Sequence, residues 1–462
     1  MSKNTRFIVI LSIILLFFMT NSCMKALTTI TDDQGFIYED FGSSAYTVYL
    51  DNLVGQSVIT VPSTYNNKPV ISVGNYVNHE SPTNITTEII LPEGIEYISD
   101  KAFAGFTLLT TIELPKSITR IGSYAFHNCT SLTHLTLPEG ITRIETNTFL
   151  GCINLEELTI PKSVIAIDKD AFKECYKLIS LYFDEGSPFS LSEGVIYNLD
   201  HTILIYYLPS NLALSYEIIP GVITIGQWAF TGNDTLTSIT IGNDVTTIDD
   251  FAFHRTISLV DVTIESSVEV IGHNAFSNCE NLEEIHLNEG LKTIEDNAFY
   301  MCPKIETIFI PSSVTFIGFK AFNYCTNMTS ILVSPQNPYY TSIDGVLYSN
   351  NLQTLIYYPS SKTNSSFTVP SHVRIIKANA FEACYTIRYL YISSGVTTIE
   401  QEAFIYNAIL KVYIPDTVHT IGFEAFYGQT GVTIYCEAEA KPSGWNERWY
   451  MNGQTILWGI EQ

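Results

Sequence analysis

The chain has 462 residues, of which 46% are hydrophobic and only 15% charged, and its formal net charge is −24. So acidic a balance repels phosphate backbones and anionic lipid headgroups, which argues against nucleic-acid binding. With few charges, the polar surface falls mostly to Thr, Ser and Asn, a composition suited to a soluble extracellular protein that contacts a large partner.

Residues 1–23 read as a targeting segment. Lys3 and Arg6 precede a 13-residue apolar run, Phe7 to Met19, followed by small and polar residues. That run is too short to span a membrane and has the layout of a secretory signal. Its removal would take Lys3 and Arg6 with it and leave the chain two charges more negative. No other stretch is apolar enough to cross a bilayer, so the protein is expected at the cell surface or secreted. Thr20-Asn21-Ser22-Cys23 resembles a bacterial lipobox, in which Cys23 would carry a lipid anchor. Thr20 stands where an aliphatic residue is usual, so ordinary signal cleavage nearby is the alternative reading.

Residues 24–90 carry a degenerate form of the repeat that occupies 91–435. Gly35-Phe36-Ile37-Tyr38 and Tyr46-Thr47-Val48-Tyr49 predict short strands, and Pro69 to Gly74 an incomplete coil. An N-terminal cap over the first open edge fits this stretch.

Residues 91–435 form an array with a 23-residue period. Phe103, Phe126, Phe149 and Phe172 keep the step; so do Phe230, Phe253, Phe276, Phe299 and Phe322, and then Phe381, Phe404 and Phe426 with one step shortened to 22. Such a period is the signature of a solenoid, in which no coil buries its own apolar face. Leu132-x-x-Leu135-x-Leu137 alternates like a short strand. Pro138, Pro161, Pro311 or Pro415 then closes the strand. Ile141 and Ile144 form a second inward pair, and a turn or helical piece carries Thr148-Phe149. The predicted architecture is an α/β repeat solenoid of right-handed coils, with a parallel sheet on one face, short turns and helical pieces on the other, and a phenylalanine spine.

Two coils are longer, at 184–218 and 334–368. Gly194-Val195-Ile196-Tyr197 with Leu204-Ile205-Tyr206-Tyr207, and Gly345-Val346-Leu347-Tyr348 with Leu355-Ile356-Tyr357-Tyr358, read as hairpins carried by elaborated coils within the stack. At the C-terminus, residues 436–462 hold three of the four tryptophans, Trp445, Trp449 and Trp458. They predict a hydrophobic cap over the last coil.

The recurring Ile-Gly-x-x-Ala-Phe-x-x-Cys-x-x-Leu-x-x-Ile-x-Ile-Pro pattern resembles the BspA-like leucine-rich repeat of bacterial surface proteins and some parasitic protists. The resemblance runs from about Val61 to the C-terminus. Thr148 replaces the alanine, and Phe106, Asn233, Thr256, Asn407 and Gln429 stand at the cysteine position. The family implies an exported protein that binds protein partners, matrix or surface proteins among them, in adhesion to host or neighbouring cells. A purely structural role, as a surface spacer or coat without a ligand, is the alternative.

Seven of the nine cysteines, Cys129, Cys152, Cys175, Cys279, Cys302, Cys325 and Cys384, share one repeat position. Runs of three cannot pair completely, so a ladder of small buried thiols is expected rather than disulfides. No nucleophile elbow, zinc-protease motif, P-loop, Cys-x-x-Cys or dinucleotide fingerprint occurs, and the nine histidines are scattered. Neither catalysis nor a metal nor a cofactor is therefore predicted. The outward residue of each strand is the remaining variable. It is mostly threonine early in the array (Thr136, Thr159, Thr240, Thr263) and turns aromatic and apolar from His286 onward, through Phe309, Leu332, Tyr391 and Tyr413, with Tyr389 beside Tyr391. This row is the candidate partner-binding surface; the opposing reading is that aromatics simply suit strands and lie under the neighbouring hairpin.

Overall fold

A computed structural model describes residues 29–41, 44–50, 53, 55–74, 85–265, 267–429, 431–451 and 453–460. The segment at 1–23 read as a leader, with Cys23, lies outside the described residues. The chain divides into two compact units, residues 1–186 and 187–462.

In the first unit, strands Ile37–Phe41 and Ala45–Tyr49 pair antiparallel, and the second of them pairs parallel with Lys68–Gly74. From there the repeat takes over. Each coil contributes a longer strand and a two-residue strand, and both pair parallel with their equivalents in the next coil. Leu135 faces Leu158, which faces Leu181, a register advance of one repeat per coil. Phe103, Phe126, Phe149 and Phe172 are buried and meet ring to ring at 5.3, 5.5 and 6.0 Å. The strand alternation and the 23-residue step thus build a parallel β-solenoid of stacked coils.

The second unit repeats the scheme around both long insertions. Phe189–Ser192, Val195–Asn198 and Ile203–Tyr207 form an antiparallel meander whose last strand pairs parallel with Thr224–Ile225. Tyr340–Ile343, Val346–Ser349 and Thr354–Tyr357 do the same ahead of Ile375–Ile376. The expected hairpins are present, each with one further strand. The second meander is buried on both faces. Leu347 and Tyr357 join one apolar core, while Val346, Tyr348, Leu355 and Tyr358 join another. In these longer coils a tyrosine takes the spine position: Tyr207 stacks on Phe230 at 4.9 Å and Tyr358 on Phe381 at 5.0 Å. At the far end Trp449 meets Phe426 edge-on at 5.8 Å, and the buried Trp445 donates its Nε1–H to the Val418 carbonyl at 2.9 Å.

The helical pieces predicted for the second face are not there: among the described residues no helix occurs. The reason is a second periodicity in the backbone. One column of residues, including Lys101, Tyr124, Asn147, Asn274, Asn297 and Lys320, has φ between 55° and 60°, and another column four residues on, including Asn128, Asn278 and Tyr324, does the same. Left-handed residues interrupt a right-handed helix at every turn. Gly105, Gly151 and Gly428 occupy this second column with φ of 77°, 73° and 79°, where a side chain is costly. The N–H groups therefore point along the stack. Those of Lys101, Phe103 and Gly105 donate to the carbonyls of Ser123, Ala125 and His127 at 2.9, 2.8 and 2.7 Å. Hydrogen bonds that a helix would close within itself are made between coils instead.

The cysteine position has a recurring chemical role that its sequence variability hides. Cys129, Cys152, Cys175, Cys279, Cys302 and Cys325 each donate an S–H to the carbonyl of the spine phenylalanine 26 residues earlier, at 3.0 to 3.2 Å. Where cysteine is replaced, Thr256 Oγ1 and Gln429 Nε2 reach the Phe230 and Phe404 carbonyls at 3.0 and 2.6 Å. These side chains thus make the same cross-coil bond, whereas Phe106, Asn233 and Asn407 fill the position without it, and the thiols described are all free. Replacing Cys302 with Ala removes one of the two donors on the Phe276 carbonyl, leaving the Cys279 N–H at 3.3 Å, and should cost about 0.5–1.5 kcal/mol in urea unfolding. Replacing it with Thr should cost clearly less, and equal losses would remove the donor argument.

Candidate partner-binding surface

Strand alternation buries one row of each longer strand and turns the next outward. In Thr307–Ile310 the burial alternates strictly, with Ile308 and Ile310 in the core and Phe309 46% exposed. Leu332, its register partner in the neighbouring strand, is likewise 46% exposed. Tyr389 and Tyr391 are 39% and 36% exposed on Tyr389–Ile392, while Tyr413 is half-buried. His286 is exposed, but its Nε2 lies 3.7 Å from the Glu284 carboxylate, so its surroundings are ionic rather than apolar.

The row is not one continuous strip. Phe309 and Leu332 belong to a two-stranded sheet, Tyr391 and Tyr413 to a separate five-stranded one, and His286 to a third. Within the five-stranded sheet the register runs Thr368, Tyr391, Tyr413, Tyr435, Leu457. The three tyrosines stack almost parallel, with centroids 4.9 and 4.6 Å apart and interplanar angles of 6° and 10°. Lys411 places its Nζ 5.9 Å from the Tyr435 ring. Their faces are covered by one another, so the ladder presents ring edges outward, an amphipathic surface. Tyr435 completes this ladder and escaped the sequence reading, although it sits 22 residues after Tyr413 and was open to the same count. Exposed Leu199, Leu212 and Leu214 around the first meander were also not foreseen, since no repeat frame covers those turns.

Among the described residues, two sets of side chains bring three ligand-type atoms within 4.8 Å of one another: Asp261, Glu284 and His286, and His273, Glu295 and Asp296. Parallel register across coils assembles them, which is why scattered histidines in the sequence gave no sign of it. Both contain an imidazole–carboxylate pair at 3.7 Å near solvent, the environment of ordinary surface ion pairs. No helix among the described residues is long and apolar enough to cross a membrane.

Stacked coils with inward Leu and Ile, a parallel sheet and a phenylalanine spine define a leucine-rich-repeat protein. More narrowly, residues 72–198, 206–329 and 340–433 match six copies of the BspA type leucine rich repeat region, and the chain belongs to that family. No curated protein matches the chain. Among solved structures, a leucine-rich repeat protein from Eubacterium ventriosum aligns over 90% of this chain and 97% of its own at 18% identity, with a TM-score of 0.45. The pneumococcal vaccine antigen PcpA aligns over 93% and 99% at 19% identity and a TM-score of 0.43. A leucine-rich repeat protein from Bacteroides ovatus aligns over 94% and 98% at 20% identity and a TM-score of 0.41.

Proposed function

We propose that this chain is an exported surface or secreted protein that binds a protein partner through the outward aromatic residues of its second unit, in adhesion to a host or neighbouring cell. The observation that carries this reading is the tyrosine ladder Tyr391–Tyr413–Tyr435 with Tyr389 and Lys411 beside it. Rigid stacked rings on a sheet lose little entropy when covered, and tyrosine is a favoured interface anchor. The exposed Phe309–Leu332 pair adds a second apolar patch. Export, and attachment through Cys23 if it is lipidated, rest on the sequence of residues 1–23. The family supports a binding role over an enzymatic one.

Surface binding measurements against immobilised matrix proteins test the proposal. Tyr391→Ser and Phe309→Ser are each expected to weaken a saturable interaction at least tenfold, within the range of interface anchors, while leaving the melting curve within a few degrees. Unchanged affinity in both would remove these patches, and the absence of any saturable binding would leave the array as a spacer.

A further inference from the structure

The second meander breaks two ladders that run from coil to coil through the repeats just before it. Strand Phe316–Ile317 pairs with Thr293–Ile294 on one side and, among the described residues, has no strand partner on the other. The next strand of that type, Thr354–Tyr357, pairs instead with Val346–Ser349 and Ile375–Ile376. The turn ladder stops at the same place. Asn297, Phe299 and Met301 donate their N–H groups to the carbonyls of Phe319, Ala321 and Asn323, but the equivalent N–H groups of Lys320, Phe322 and Tyr324 reach no backbone carbonyl among the described residues. Only the Ile317 N–H is compensated, by the Tyr340 hydroxyl at 3.0 Å.

A cleft of about 290 Å³ occupies this break, with Phe316, Phe322, Leu347 and Ile356 as apolar wall and Lys320, Lys377, Asp296 and Glu400 as polar wall. Each carboxylate around it already holds at least one donor. Asp296 accepts the Phe319 N–H at 2.6 Å, and Glu400 accepts the Ala378 N–H at 3.0 Å and Lys377 Nζ at 3.2 Å. The buried Glu382 accepts from Asn323 and Asn379 at 2.7 and 3.0 Å and pairs with Lys320 Nζ at 3.3 Å. Donors are left over: the half-exposed Lys377 ammonium has three protons and one close carboxylate, and the N–H groups of Lys320 and Phe322 are unmatched. An apolar pocket with surplus donors fits an acceptor-bearing, negatively charged ligand with an apolar body.

We propose that this cleft binds a small organic carboxylate, its apolar body against Phe316, Leu347 and Ile356 and its carboxylate at Lys377 and the unmatched N–H groups. The same chemistry is offered by a free aromatic or branched acid and by the C-terminal residue of a peptide. The site is separate from the tyrosine ladder, so it stands or falls independently of the adhesion reading. Titration calorimetry on the full chain with phenylacetate, phenethylamine and phenylacetamide tests it, with acetyl-Gly-Gly-Phe and its C-terminal amide distinguishing the two sources. Phenylacetate or the peptide acid is expected to saturate one site, with the amine and amides at least tenfold weaker. Lys377→Met should weaken the acid about tenfold without changing the melting curve, and Phe316→Ser, on the exposed strand edge, should weaken it severalfold. A peptide acid that binds while phenylacetate does not identifies a chain terminus, and the reverse a free acid; either upholds the site. No saturable binding of any acid, an amine that binds as tightly, or full affinity in both variants overturns it.

Discussion

Raising the pH from about 8 to about 10.5 is expected to unfold the protein cooperatively, with the transition driven by its buried thiols. Burial pushes Cys152 and Cys436 up to about 12 from an ordinary 9.0, and it holds Cys129, Cys175, Cys302, Cys325 and Cys384 well above the usual thiol range. A folded pKa raised above the unfolded one means the native state keeps protons that the unfolded chain gives up. The stabilisation is therefore complete below about pH 9 and is lost as the pH climbs from there toward 12. Each such thiol withdraws its stabilisation across that window, and the seven act together against the margin of an ordinary domain, about 5–15 kcal/mol. Circular dichroism against pH gives the midpoint. Replacing Cys302 and Cys325 with Thr, which keeps the hydrogen-bond donor and cannot ionise at these pH values, should move the midpoint upward. An unmoved midpoint would assign alkaline unfolding to other groups.

The second large effect is expected at the spine. Phe276 is fully buried, stacked on Phe253 at 4.8 Å and on Phe299 at 5.4 Å. Phe276→Ala removes both ring contacts and leaves a cavity that the flanking coils cannot close, at a cost of about 3–5 kcal/mol. Because each coil is held by its neighbours, the loss weakens both adjoining interfaces. Urea unfolding followed by tyrosine fluorescence measures it; a loss under 1 kcal/mol would mean the column is not the structural spine.

The architecture was legible because it is written in a period. A phenylalanine every 23 residues and Leu at three- and two-residue spacing, repeated twelve times, fix strands, core and stacking direction. What stayed hidden is what the period does not encode. Asn and Gly recur in the left-handed columns, but side chains as bulky as Tyr124, Trp228 and Phe251 share them, which dilutes the signal that the turns would avoid a helix. The cysteines looked like interchangeable small residues until the spine carbonyls showed what Thr256 and Gln429 share with them. For the candidate surface, the outward row followed from alternation alone, and Phe309, Leu332, Tyr389 and Tyr391 are exposed as that alternation requires. Its division among separate sheets depends on where the ladder breaks, once between the His286 and Phe309 strands and once at the second meander, which no single strand reveals. The cleft beside Phe316 arises from absent partners, and absence leaves no residue to read.

The cross-coil hydrogen bonds of the left-handed turns also bear on how such a chain can change over generations. Outside the break at Lys320 to Tyr324, donors in that ladder are matched to acceptors one whole coil away, as Phe253 is to Ala275 and Phe276 to Ala298. Gain or loss of residues within the turn itself would put its donors out of step, whereas the 22-residue coil keeps the match, with the Phe404 N–H on the Ala425 carbonyl. Duplication or deletion of a complete coil would leave the matching intact. Recombination between neighbouring repeats is thus the mutational route that the backbone tolerates best, and array length, rather than the sequence within a coil, is the quantity most free to drift among relatives.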